Sequence, residues 1–223
     1  MDRFLYGSPG YVAYMREHGH ERGEKEFLES IAKDGMIAVD VGGHFGFTAC
    51  AISRAIGPTG RLYCFEPVRE HCRVAEDNIL ENRLTNVELM CTAVGDKPGT
   101  TWLYRDGAAT SIARREGRQA LSVRVVSLDG FFEERGLARL DLLNMDCEGS
   151  ELLVLQGARG LLRSNRVKVF VEVHHEFLQS LGHSARDIIG FLEHLGYEVS
   201  SVSLSDLALG HDWEGCEYLY ARR

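Results

Sequence analysis

The sequence predicts a doubly wound α/β fold: a mostly parallel sheet of seven strands, helices on both faces, and a β insertion between the third and fourth strands. Three observations predict it. Apolar runs of strand length, at 36–41, 61–66 and 167–173, alternate with stretches whose apolar residues recur at helical spacing. The run at 167–173 is apolar at almost every position instead of every second one, as suits a strand buried on both faces. Finally, the runs finish at acids, Asp40, Glu66, Asp146 and Glu172, and in a parallel sheet such ends gather on one edge, where ligands bind.

The elements follow in order. Residues 24–33 place Phe27, Leu28 and Ile31 on one helical face, and Asp34-Gly35 stops that helix. The first strand is 36–41. A helix at 46–56 ends at Gly57-Pro58-Thr59-Gly60. The second strand is 61–66, a helix at 68–82 opens after Pro67, and the third strand is 86–94. Strict alternation then breaks: 100–104 and 122–126 both read as strands around a polar stretch, which is the insertion. A short helix at 128–135 leads to strand four at 140–145, a helix at 150–162 and strand five at 167–173. A helix at 185–195 closes at Gly196, and strands at 197–204 and 217–221 form an antiparallel edge. Residues 1–23 lack core periodicity and read as an N-terminal arm or lid. Residues 24–223 form one domain, and the segment around Gly107 to Gly117 reads as a second lid.

Composition narrows the class. A chain of 223 residues, 44% hydrophobic and 26% charged, suits one soluble globular domain. No apolar run is long enough for a membrane span, and the first residues lack the apolar core of a signal peptide, so a cytoplasmic protein without a membrane partner is expected. Of the six cysteines none forms C-x-x-C, which argues against a zinc site and for free thiols acting as small hydrophobes. The net charge of −8 argues against a nucleic-acid partner. The arginines Arg114, Arg115 and Arg118 are too few to reverse that and read as a solvated loop within reach of an anionic substrate group.

The turn after strand one reads Asp40-x-Gly42-Gly43-His44-Phe45-Gly46, not G-x-G-x-x-G. A dinucleotide fold, and with it a nicotinamide-dependent dehydrogenase, is therefore disfavoured. The pattern acid-x-Gly-x-x-x-Gly is the signature of class I methyltransferases, Rossmann-like enzymes that bind S-adenosylmethionine. That cofactor has no pyrophosphate to rest on a helix N-terminus, while its sulfonium and ammonium favour nearby carboxylates. Glu66, at the end of the second strand, is placed for the ribose hydroxyls. Asp146 and Glu148 end strand four; Glu172 and His174 end strand five and share a face by alternation. An imidazole there is a suitable base for a hydroxyl acceptor, with a carboxylate to orient it and His175 as its rival. A divalent metal on these ligands is the less favoured reading.

Together these blocks, with Phe65-Glu66-Pro67, Ala93-Val94-Gly95-Asp96, 142–151 and Glu172-Val173-His174, resemble the FkbM family of S-adenosylmethionine-dependent methyltransferases. The resemblance runs from about Glu24 to the end and is most specific at Asp146-Cys147-Glu148-Gly149-Ser150-Glu151. It implies O-methylation of a sugar, polyketide or other natural product, with S-adenosylhomocysteine as the second product. It further implies that Asp40, Gly42, Gly43, His44 and Gly46 meet the methionine end, Glu66 and Pro67 the ribose, and Ala93 and Val94 the adenine. Asp146, Glu148, Glu172 and His174 would line the reaction site. Gly43-His44, Asn144 and Cys147 depart from the family's usual Ala-Asn, Lys and Val, which leaves the acceptor open. A small-molecule hydroxyl is the expected partner, with homo-oligomerisation open. The alternatives are a protein or nucleic-acid methyltransferase, against which the missing Asn/Asp-Pro-Pro-aromatic motif counts, and a non-catalytic cofactor-binding module.

Overall fold

The structure, a computed structural model, describes residues 20–106, 109–113, 117 and 119–223. Most of the expected arm, residues 1–19, and much of the 107–117 segment, with Arg114, Arg115 and Arg118, lie outside the described residues. Residues 20–23, counted with the expected arm, belong to the first helix, α1 (His20–Ile31).

The main sheet contains β1 (Ile37–Val41), β2 (Arg61–Phe65), β3 (Val87–Met90), β8 (Leu142–Met145), β9 (Lys168–Glu172), β10 (Glu198–Ser203), β11 (Ala208–Gly210) and β12 (Tyr218–Arg222). Their order is β11-β10-β12-β9-β8-β1-β2-β3. The five strands from β9 to β3 are parallel; β12, β10 and β11 add an antiparallel edge. The sheet thus has eight strands where the sequence predicts seven. The extra one, β11, is an edge strand of three residues, Ala208-Leu209-Gly210, too short to show the patterning that marks the others.

Both faces of this sheet are covered. Val39, Tyr63, Phe65, Leu143 and Val169 point into one core, Ala38, Leu62, Cys64, Leu142 and Phe170 into the other. Alternation along each strand divides the residues, so a run apolar at every position feeds two cores. The helices that flank the crossovers include α2 (Phe47–Ala55), α3 (Arg69–Glu81), α5 (Glu151–Gly157), α6 (Arg159–Ser164), α7 (His175–Ser180) and α8 (Ala185–His194). No helix among the described residues is long and apolar enough to cross a membrane.

Four local expectations change. The strand expected at 86–94 splits at Cys91-Thr92: β3 stays in the main sheet, while β4 (Ala93–Val94) pairs with β7 (Ala120–Val126). With β5 (Gly99–Asp106) and β6 (Ala109–Ser111) these make a second sheet, β4-β7-β5-β6, which is the predicted insertion. The helix expected at 150–162 breaks at Ala158. Asp129, from α4 (Leu128–Glu134), accepts hydrogen bonds from the amides of Gly160 and Leu161 and so starts α6 as a separate helix. The residues after His174 turn at once into α7, whose six residues are too few to show a helical period. Cys72 and Cys91, read as free thiols, are joined in a disulfide between α3 and the residue after β3.

Candidate active site

The chain order β1, β2, β3 runs to one side of β1, and β8 then returns on its other side, so the sheet reverses direction of winding between β1 and β8. Ligands of open α/β sheets bind beyond the carboxyl ends of strands at such a point. The glycine turn follows β1 there. Gly42 has φ +89°, and a Cβ on it would lie inside the carbonyl oxygen of Asp146 at the end of β8. Only glycine allows the two strand ends to approach so closely. Gly42 and Gly43 donate amides to the carbonyl of Phe65, at 2.8 and 3.1 Å, which fastens the turn to the end of β2.

Glu66 is 5% exposed and lines the resulting cavity. One carboxylate oxygen accepts from the amide of His44 (3.0 Å), the other from that of Val68 (2.8 Å), and His71 Nδ1 stands 3.3 Å away. The oxygen that takes the His44 amide keeps a lone pair for a further donor. His44 stacks on Phe45 at 3.9 Å and meets His71 edge-on. Burial, reinforced by His71, lowers its pKa to about 3, so it offers the site a neutral ring.

Asp40 and Gly46, expected at the methionine end, are not among the residues that line this cavity. Asp40 is 1% exposed and lies beneath the glycine turn, outside the cavity wall. It accepts from Thr48 Oγ1 (2.9 Å) and Asn144 Nδ2 (2.8 Å), bracing α2 and β8 against β1. Burial drives its pKa up to about 6 against those two hydrogen bonds. Gly46, with φ +86°, starts α2 and packs on Ala75 of α3, also off the wall. The remaining predicted cofactor residues, Gly42, Gly43, His44, Glu66, Pro67, Ala93, Val94 and Asp146, all line one cavity of about 630 Å³.

The same cavity continues to Glu148 and Glu172, so the second predicted cluster is brought together with the first. His174 stands beside them, with Nε2 3.4 Å from Asp146, 3.5 Å from Glu148 and 3.8 Å from Glu172. Its orienting partner is neither Glu148 nor Glu172 but Glu151, the first residue of α5, whose Oε1 meets His174 Nδ1 at 2.8 Å. Glu151 is wholly buried, takes the Gly149 amide on the same oxygen, and has no hydrogen-bond partner for Oε2 among the described residues. Its signal was present in the sequence, as the last acid of the block Asp146 to Glu151, but nothing local showed that it turns back toward strand five. The insertion reaches the same loop: Ser111 of β6 donates to the carbonyl of Glu148, a residue held at φ +49°.

Electrostatics change the expected roles. Burial alone would lower the pKa of His174; the Glu151 hydrogen bond, Asp146 and Glu148 outweigh it and raise it to about 10. Such a ring is an imidazolium at neutral pH and has no lone pair with which to act as a base. Glu172 is raised to about 8 by burial and by Asp146, against the pull of His174. Burial also raises Asp146. His175, the rival base, faces away: its Nε2 bonds the carbonyl of Cys216 at 2.7 Å on the exposed side of α7.

The doubly wound sheet, with its glycine turn and strand-end acids at the reversal point, is the fold of class I methyltransferases. The Methyltransferase FkbM domain matches residues 40–199, and the chain belongs to that family. Solved structures of the same fold include methyltransferase FkbM from Methylobacillus flagellatus, 14% identical with a TM-score of 0.57, aligned over 88% of this chain and 50% of that one. A SAM-dependent methyltransferase from Aquifex aeolicus is 17% identical with a TM-score of 0.54, over 97% of this chain and 98% of that one. The O-methyltransferase TomG from Streptomyces achromogenes, solved in complex with SAM, is 13% identical with a TM-score of 0.52, over 89% and 78%. This chain spans half the length of the first of these. No curated protein matches the sequence.

Proposed function

We infer that the protein transfers the methyl group of S-adenosylmethionine to a hydroxyl of a small molecule and releases S-adenosylhomocysteine. One observation carries this reading: a single cavity joins the glycine turn and Glu66 to the carboxylate cluster, with Asp146 on the wall between them. Its volume, about 630 Å³, lies within the ~300–1,000 Å³ usual for small-molecule sites.

In this reading the cofactor lies along the ends of β1 and β2, its ribose diol on Glu66 and its adenine beside Ala93 and Val94. Asp146 faces the methionine end and its positive sulfur. The acceptor enters from the side of Glu148 and Glu172. Its oxygen lone pair attacks the methyl carbon in line, the carbon–sulfur bond breaks, and that electron pair remains on sulfur as a neutral thioether. The hydroxyl proton passes to the ionised form of Glu172, the cluster carboxylate on the wall at the end of β9, a form that becomes abundant as pH rises toward about 8. His174, held by Glu151, serves as a fixed positive partner for the surrounding acids in place of the base expected from the sequence. The carboxylates suit a hydroxyl, which is a weak nucleophile until its proton is removed.

Titration calorimetry with S-adenosylmethionine tests the cofactor half. Screening candidate hydroxyl compounds with isotopically labelled methyl donor tests the acceptor half. Absence of cofactor binding at millimolar ligand refutes the reading, and so does label found only on nitrogen acceptors.

A further inference from the structure

We propose that Asp146, Glu148 and His174 form a binding site for a hard divalent cation, magnesium or manganese, and that this cation holds the acceptor's hydroxyl oxygen. The inference deepens the methyl-transfer reading and rests on it only for the identity of the acceptor.

The geometry is that of ligands around an ion. One atom from each of the three side chains falls within 4.8 Å of the others. The Nε2 of His174 stands 3.4 Å from the Asp146 carboxylate and 3.5 Å from that of Glu148. A charge-assisted hydrogen bond would close to ~2.7–2.9 Å. Ligands ~2.0–2.2 Å from a metal instead lie ~3.0–3.5 Å apart along an edge of its coordination polyhedron. The spacing of Nε2 from both carboxylates is thus that of a coordination edge and longer than a charge-assisted hydrogen bond.

A second, independent feature lies behind the ring. A metal-bound histidine commonly donates its other N–H to a carboxylate, which fixes its tautomer and orientation. Glu151 is in that place, 2.8 Å from Nδ1 and wholly buried, with its other oxygen unpartnered among the described residues. A buried carboxylate of this kind is costly unless a positive charge lies close by. Among the described residues, the ion pairs of Asp146, Glu151 and Glu172 are all with His174, one imidazole for three acids. A divalent cation supplies what the imidazole alone does not.

The ligand chemistry selects the ion. Two carboxylates and one imidazole suit magnesium or manganese, and no cysteine thiolate is among them. Asp146 and Glu148 lie on the cavity wall, so the remaining coordination positions open toward the acceptor. Binding the cation would displace the Nε2 proton of His174 to solvent and take over the positive charge among the acids, leaving Nδ1–H on Glu151. The cation would then bind the hydroxyl oxygen and ease loss of its proton to ionised Glu172. The oxygen's remaining lone pair then takes the methyl group, and the carbon–sulfur pair leaves with sulfur.

The test is manganese binding by the chelator-treated protein, followed through the electron paramagnetic resonance signal of free Mn²⁺, with Mg²⁺ as competitor. One Mn²⁺ per chain, displaced by Mg²⁺, is expected. Glu148→Gln and His174→Gln should each weaken it at least tenfold, and Glu151→Gln, which acts through His174, by ~10–100-fold. S-adenosylmethionine titrated into each variant checks that the fold is intact. Absence of saturable Mn²⁺ binding to the wild-type protein overturns the proposal, whatever the variants do. So does binding that survives in a folded Glu148→Gln protein. Wild-type protein that takes Mn²⁺ but not S-adenosylmethionine sinks the methyl-transfer reading alone; the converse sinks the cation alone.

Discussion

Replacing Asp40 by asparagine separates two jobs that a strand-end acid can do. If Asp40 met the cofactor's ammonium, Asp40→Asn would cost affinity. The structure instead buries it under the glycine turn, between Thr48 and Asn144, where its pKa rises from 3.8 to about 6. A folded pKa above the unfolded one means that the folded state holds the proton more tightly. This group's contribution to stability is therefore fully present below about 3.8 and declines as pH rises through about 6. At ~1.4 kcal/mol per pH unit, the ionised carboxylate costs ~3 kcal/mol at pH 7.5 and ~1 kcal/mol at pH 4.5. Asparagine never ionises, so the stability of Asp40→Asn relative to wild type should improve by ~2 kcal/mol between those two pH values. Urea denaturation of both proteins at both values measures this, because other titrating groups cancel in the comparison. S-adenosylmethionine affinity, by calorimetry at neutral pH, should stay within about threefold. A variant-minus-wild-type stability that stays flat or falls as pH rises refutes the burial argument. A loss of affinity beyond about thirtyfold refutes the bracing role.

The remaining predictions concern the cavity itself. Glu66→Ala should weaken S-adenosylmethionine binding by ~1.5–3 kcal/mol, the worth of a hydrogen bond to a charged group; unchanged affinity in calorimetry would remove Glu66 from the ribose. Gly42→Ala should lower the melting temperature and abolish cofactor binding together, since its Cβ overlaps the Asp146 carbonyl; a variant with wild-type melting and affinity would show that the turn is less tightly constrained than the structure has it. Glu172→Gln should reduce methyl transfer by ~10²–10⁴-fold with cofactor affinity retained, as expected for loss of a proton acceptor. His175→Ala, whose ring bonds an exposed backbone carbonyl, should leave transfer within about threefold; the reverse ranking of the two variants would relocate the base.

Much of this fold is legible because its signals are local. The parallel strands are apolar on both faces, and the glycine turn and strand-end acids fall at fixed places relative to them. What was hidden depends on partners far along the chain. The 86–94 stretch changes sheets at Cys91-Thr92 because Ala93 and Val94 find Val125 and Val126, about 30 residues later. Ala158 interrupts a helix because Asp129 caps the next one. The edge strand β11 is only three residues long, too short for a period to register. The site divides the same way. Glu66 and Asp40 look equivalent in sequence, as acids at the ends of adjacent strands. Only the packing of Thr48 and Asn144 around Asp40 turns one into a brace and leaves the other on the cavity wall.

Glu151 makes the same point for the chemistry. From the sequence, the histidine at the end of strand five is a plausible base, because its ordinary pKa suits neutral pH. In the fold it stands among four carboxylates, one of them wholly buried and bonded to it. Those acids remove its capacity to accept a proton by raising its affinity for the one it holds. Nothing about the histidine itself has changed; the change lies in its surroundings, and these are assembled from β8, α5 and β9. Apolar residues of similar volume would generally stabilise such a buried place at least as well as a charge cluster does. Stability alone therefore does not account for retaining this many acids around one ring. A reaction beside it in which positive charge on sulfur is discharged and a hydroxyl proton must leave gives the acids a use.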